Sequence, residues 1–234
     1  MFSDAFLAQT GIEISRCPVA KAAYMACHFS PYGKGLSNLP ERLPTGSILL
    51  LDDSMPPNGH DPQMIENQLT KIVKQFDIAA ILLDFQGEYT QESMDITRYL
   101  SKALPCPVAV TAAYAKALGC PVFLSPTPVN MALKDHILPW LQQGVFLEIA
   151  PMATRFTVAE TGCTVLPIPY TEALPLYDEK LHCHYNVEVL PGQAVFTLCR
   201  TREDLAVLSK EAKQLGVLET VGLYQELAHY NPSV

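Results

Sequence analysis

Apolar residues in this chain fall in short runs that end abruptly in polar ones. The sharpest is Ile78-Ala-Ala-Ile-Leu-Leu-Asp84-Phe-Gln86-Gly87. In a strand, successive side chains alternate between two faces. Ala79, Ile81, Leu83 and Phe85 then share one side, and Ala80, Leu82, Asp84 and Gln86 the other, with the two polar groups roughly 7 Å apart. Apolar residues on both faces predict a strand covered on both sides, as in a parallel α/β sheet. Polar groups at the carboxyl end of such a strand occupy the usual place for binding and reaction.

The same punctuation recurs along the chain. Residues 24–29 and 47–51 read as strands ending near His28 and at Asp52-Asp53. Asp61 as N-cap and Pro62 at the first helical position open a helix, continued by Ile65, Leu69, Ile72 and Phe76. After the 78–87 strand, Thr90 caps a helix over 91–103. Residues 108–111 and 122–125 are two more short strands, and the 114–119 segment between them is short for a full crossover helix. A helix over 131–142 leads into a strand over 145–149.

Here the regular alternation falters. Residues 156–159 and 163–166, joined by Glu160-Thr-Gly162, read as an antiparallel hairpin. A proline-rich loop follows, and 182–189 with 194–199 form two strands around Pro191-Gly192. Thr201-x-x-Asp204 opens a helix with Leu205, Leu208, Ala212 and Leu215 on one stripe. Gly216 stops it, and a last strand over 218–224 runs into Gln225-Glu226.

Seven or eight strands with interleaved helices in 234 residues predict an α/β fold, a small irregular (β/α)8 TIM-type barrel with some helices missing. Such barrels run to about 250 residues, sometimes nearer 200. An open doubly wound sheet is the alternative, but the dinucleotide fingerprint and the phosphate loop that usually accompany it are absent. No repeat, low-complexity tract or composition break marks a linker, so residues 1–234 read as a single domain.

Composition narrows the partners. The chain is 49% hydrophobic and 17% charged, enough for one sizeable core. A net charge of −8 without a basic cluster argues against nucleic acid. No apolar run approaches a membrane span, so no membrane partner is expected. The start lacks the basic segment and long apolar core of a secretory leader. The cysteines, seven in number, are widely spaced and form no C-x-x-C. That pattern points to reduced structural thiols in a cytoplasmic protein. No signal of oligomeric state is present.

In a closed barrel the polar strand ends converge over one mouth. The ligand-binding candidates are therefore Asp84, Gln86, Glu148, Tyr224, His28 and Asp52. Strand ends also meet water and aspartate often caps the next element, which is the competing account of Asp52 and Asp53. Glu148, flanked by Leu147 and Ile149, needs a partner if buried, and Arg155 is a candidate.

A strand reading apolar-apolar-Leu-Asp-aromatic-Gln resembles the catalytic strand of family 18 glycoside hydrolases, the chitinase-like barrels. Their pattern, D-x-x-D-x-D-x-E, ends the fourth strand. Laid on this chain, its acidic positions fall at Ala79, Leu82, Asp84 and Gln86, and only Asp84 is retained. The stretch from Phe196-Thr-Leu-Cys-Arg-Thr201 to the last strand is similar to the closing strand–helix–strand of these barrels, with Gly222-Leu-Tyr224-Gln225 where the family usually presents a tryptophan.

The resemblance implies a carbohydrate or related small-molecule ligand. In the family the glutamate protonates the leaving oxygen while the neighbouring aspartate orients the substrate's acetamido group. An amide at Gln86 has no proton to give. A divergent member that binds sugar without hydrolysing it in the family's way is therefore expected, with no catalytic residue assigned and no cofactor. Glu148 could supply an acid from across the barrel. Two alternatives stand beside this. His182-Cys183-His184 would place two imidazoles on one strand face, as in a metal-dependent hydrolase, although no metal site is assigned. The third alternative is a structural or partner-binding barrel without a small-molecule site.

Overall fold

The computed structural model describes residues 2, 4–17, 19–31, 35–169 and 174–227. In chain order the first strands are β1 (Phe6–Gln9), β2 (Ala22–Phe29), β3 (Leu36–Ser37), β4 (Ile48–Asp52), β5 (Ala80–Asp84), β6 (Val108–Thr111), β7 (Val122–Leu124) and β8 (Val145–Glu148). Next come β9 (Ala153–Ala159), β10 (Gly162–Ile168), β11 (Leu176–Asp178), β12 (Cys183–Leu190), β13 (Gln193–Cys199) and β14 (Glu219–Leu223). Helices are α1 (Gly11–Arg16), α2 (Pro62–Phe76), α3 (Gln91–Ala103), α4 (Ala112–Leu118), α5 (Leu133–Ile137), α6 (Arg202–Gln214) and α7 (Tyr224–Leu227).

Parallel neighbours run in the order β1-β14-β8-β7-β6-β5-β4-β2, and β1 also pairs with β2. That last pairing closes an eight-stranded barrel and removes the open sheet from contention. Alternation along each strand divides the core in two. Ala80 and Leu82 of β5 meet Phe6, Phe123, Phe146 and Val221 inside the barrel. Ile81 and Leu83 point outward and pack with Ile65 and Leu69 of α2 and Leu100 of α3. Covering on both faces is what the apolar run over 78–85 anticipates.

The helices begin where the sequence signals them. Asp61 accepts the Gln63 N–H at 3.0 Å, and Thr90 and Thr201 each form a reciprocal capping box with the residue three positions on. Four features depart from expectation. β1 is a barrel strand that Phe-Leu-Ala-Gln does not announce, because it lacks the β-branched residues that mark 108–111. Its presence makes β5 the fourth strand of the barrel rather than the third. The crossover between β6 and β7 is made by α4, seven residues long. The helix expected over 131–142 is only α5 followed by a 3-10 turn over Leu138–Trp140, with Pro139 in it.

The fourth departure lies between β8 and α6. The two expected hairpins do not stand apart: β13 pairs with β9, joining them into one antiparallel sheet in the order β10-β9-β13-β12-β11. Buried Arg200, just past β13, fastens this sheet to the barrel. Its guanidinium donates to the carbonyls of Thr127, Pro128, Met131 and Leu181, four acceptors for a side chain 1% exposed. A buried charge needs such saturation.

Candidate functional site at the barrel mouth

Strand register brings the acidic residues together. His28, Asp52 and Asp84 are direct neighbours across β2, β4 and β5. A bulge in β2 between Tyr24 and Cys27 brings His28 into this row. Asp52 and Asp84 continue the inward parity of Leu50 and Leu82, so both carboxylates cap the barrel interior. Glu148 does the same from the end of β8, two positions after Phe146. The three carboxylates line one cavity of about 150 Å³ whose walls include Met25, Phe123 and Leu223.

No cation reaches Glu148 among the described residues. Arg155, the candidate partner, is exposed on β9 and forms no ion pair with it. Burial first, then the charges of Asp84 and Glu226, push the Glu148 carboxyl up to about 7. Glu226, on α7, is itself raised by burial, and its Oε2 is buried without a hydrogen-bond partner. The Asp84 carboxyl is raised chiefly by burial, against which the Gln86 hydrogen bond works, with Asp52 and Asp53 adding to the rise. A low-dielectric mouth with several carboxylates and no counter-charge favours holding protons.

Gln86 lies just beyond β5, exposed, and its Nε2 donates to Asp84 Oδ1 at 2.9 Å. The loop that carries it is held from the end of the neighbouring strand β4. Asp53 accepts the backbone N–H groups of Gln86 and Gly87, each at 2.9 Å. A Cβ at Gly87 would stand 2.8 Å from Asp53 Oδ2, so glycine permits this close approach. Asp53 is the positioning residue that sequence reasoning treated as a simple cap; its partners lie more than thirty residues on and leave no local signal.

Not every candidate joins the mouth. Tyr224 is 8% exposed, but its hydroxyl faces Cys17 and Glu13 rather than the cavity. It follows Leu223, which faces inward, and so takes the outward parity. Gly222 lines the cavity instead, where a Cβ would meet the Ile149 carbonyl at 2.6 Å. His28 sits beside Asp52 in register but outside the cavity wall.

The two histidines of the H-x-H pattern do not share a strand face. His182 precedes β12 in the left-handed region, φ 46°. Its Nε2 lies 2.7 Å from Glu211 Oε2 and its Nδ1 3.3 Å from the Tyr177 hydroxyl. His184, on β12, donates through Nδ1 to the Leu174 carbonyl at 3.0 Å. Among the described residues no group of three or more His, Cys, Asp or Glu side chains is disposed to hold a metal ion. No described helix is long and apolar enough to cross a membrane.

No protein-family model matches the chain, and no curated protein matches it in sequence. Solved structures do match in fold. A family 18 chitinase from Cycas revoluta, a variant with one Gly→Trp and one Glu→Gln exchange in complex with (GlcNAc)4, aligns over 94% of this chain and 94% of its own, at 9% identity and a TM-score of 0.57. The spore cortex-lytic enzyme SleL of Bacillus cereus aligns over 97% of this chain and 71% of its own, at 10% identity and a TM-score of 0.56. A chitinase from Chromobacterium violaceum aligns over 97% and 95%, at 12% identity and 0.53. The chain has the fold of a chitinase-like barrel. Within that chitinase-like barrel β5 stands fourth, the strand on which the sequence resemblance lays the family's acidic pattern.

Proposed function

We propose that this barrel binds a carbohydrate, or a closely related ligand, at its mouth without cleaving it by the route of family 18. The observation that carries this is the pairing at the end of the fourth strand. Asp84 is kept, and the position two residues on is Gln86, whose amide donates to Asp84 and has no acidic proton to deliver. Asp84, Gln86, Glu148 and Asp52 are the ligand-contacting residues in this account. The cavity of about 150 Å³ is below the roughly 300–1,000 Å³ of pockets that enclose a whole drug-sized ligand. It suits one substituent or one end of a sugar chain. The Cycas revoluta variant with a glutamate exchanged for glutamine is recorded with (GlcNAc)4 bound, which supports sugar binding on such a barrel with an amide in place of an acid. Free thiols at all seven cysteines fit a reducing, cytoplasmic setting.

One observation favours a second reading, residual hydrolysis with Glu148 as general acid. Its carboxyl, pushed up to about 7, keeps a proton on about half the molecules at neutral pH and faces the same cavity as Asp84. Chromogenic N-acetylglucosamine oligomers separate the two. Binding without hydrolysis predicts no turnover in the wild type. Turnover abolished by Glu148→Gln would favour the second reading, and robust turnover that survives that substitution would sink both.

A further inference from the structure

The cavity of about 150 Å³ has room for one end of a sugar chain, so the rings that follow must lie across the rim. An aromatic side chain stands close by. Tyr89 comes three residues after Gln86, within about 10 Å of it along the chain, and is 56% exposed. Among the described residues its hydroxyl has no hydrogen-bond partner. The other exposed tyrosines among them are engaged: Tyr99 donates to Glu66, and the Tyr177 hydroxyl lies 3.3 Å from His182 Nδ1.

Tyr89 is held in place by the protein alone. Two residues before it, the Gly87 N–H donates to Asp53 at 2.9 Å. The residue after it, Thr90, caps α3 and exchanges hydrogen bonds with Ser93. The Tyr89 ring leans on that of Tyr114, with centroids 5.1 Å apart and planes 31° to one another. Tyr114 is itself buried, donates through its hydroxyl to Ser93 Oγ at 2.9 Å, and meets Phe85 edge-on just past the fourth barrel strand. A tyrosine fixed in this way has little conformational freedom left to lose when a ligand arrives.

We propose that Tyr89 is the stacking platform for a sugar ring beyond the one held at the mouth, so that the ligand is an oligosaccharide selected by its length. This rests on the carbohydrate reading of the mouth. A pyranose carries hydroxyls around its edge and C–H groups on its faces. A face laid on a flat aromatic ring removes apolar surface of both from water while the hydroxyls at the edge stay solvated. The unpartnered Tyr89 hydroxyl adds a donor and an acceptor beside them. Asp53 ties the two parts of the site together, since one carboxylate fixes the backbone of Gln86, which pairs with Asp84, and the Gly87 step that leads to Tyr89.

Titrations with GlcNAc and with (GlcNAc)4, followed by protein NMR, test this. The wild type is expected to bind the tetramer more tightly than the monosaccharide, and the ring resonances of Tyr89 should move with the tetramer alone. Tyr89→Leu keeps an apolar cover over Tyr114 but has no flat face. It should weaken (GlcNAc)4 binding by about 3- to 10-fold, the size of one aromatic contact. It should leave GlcNAc binding unchanged and melt within a few degrees of wild type, whereas Tyr89→Phe should retain most of the tetramer's affinity. Equal (GlcNAc)4 affinity in wild type and Tyr89→Leu overturns the platform and leaves the carbohydrate reading of the mouth standing. An equal loss for both ligands also overturns it, since Tyr89 would then be a prop for the Gln86 loop. A wild type that binds neither ligand overturns both readings.

Discussion

The side-chain amide of Gln86 donates to the Asp84 carboxylate over 2.9 Å, so the two polar groups at the end of the fourth barrel strand form a closed pair. Asp53 holds the backbone of the same loop through two N–H groups. Glu148, facing them across the cavity, has no such support among the described residues. The mouth therefore combines one carboxylate fixed by an amide with another kept company only by like charges.

Glu148 should make stability depend on pH. Its carboxyl is raised from 4.5 to about 7, so the folded state holds a proton that the unfolded state releases. Below pH 4.5 both states are protonated and the group carries no penalty. Between 4.5 and about 7 stability falls as pH rises, and above that the whole cost of burying the charge is present. Glu148→Gln removes this, worth on the order of 1–3 kcal/mol for a partly buried carboxylate. Thermal melts should show the variant more stable by several degrees at pH 8, at about 2–4 °C per kcal/mol, and almost unchanged at pH 4. A variant less stable than wild type at pH 8 would mean that Glu148 has a favourable partner.

Asp53 should act on the Gln86 loop rather than on the core. Asp53→Ala removes the acceptor from two exposed N–H groups, which water can re-solvate, so the stability cost should be about 1–2 kcal/mol. Hydrogen exchange should accelerate at the Gln86 and Gly87 amides while those of β5 stay protected. Ligand binding should weaken with it, because Gln86 loses its fixed position. Unaltered exchange at both amides would contradict the clamp.

Much of the fold is written in alternation. The run over 78–85 gives both its strand and its two covered faces, because inward Leu82 and outward Leu83 are both apolar. Asp61, Thr90 and Thr201 announce their helices because a cap is a local arrangement of three or four residues. What failed is non-local. β1 is a barrel strand because Phe6 and Ala8 find Val221 and Ala23 inside, a partnership that Phe-Leu-Ala-Gln, without a β-branched residue, does not declare. Tyr224 turns away from the mouth, and neither parity of 218–224 stands out as apolar, with Leu218, Thr220 and Gly222 on one and Glu219, Val221 and Leu223 on the other; only pairing with β8 and β1 decides which side is in. The Asp53 clamp depends on residues over thirty positions away.

The histidine pair makes a separate prediction. His182 is held by Glu211 and the Tyr177 hydroxyl, and His184 by the Leu174 carbonyl with Asp204 at 3.8 Å, so both imidazoles are already engaged by protein groups. Protein purified without a histidine tag should contain no stoichiometric zinc, manganese or iron by elemental analysis. About one metal per chain, lost on His182→Ala, would return the metal-dependent hydrolase to the front.

The central claim is that the mouth holds a sugar and leaves it whole. Native mass spectrometry of the protein mixed with (GlcNAc)4 tests it most directly. The account predicts a one-to-one complex carrying the intact oligomer, no shorter products on prolonged incubation, and a complex strongly depleted in Asp84→Asn. That variant should melt within a few degrees of wild type, since among the described residues no arginine pairs with Asp84. Shorter oligomers in the spectrum, or a complex equally abundant in Asp84→Asn, would contradict it.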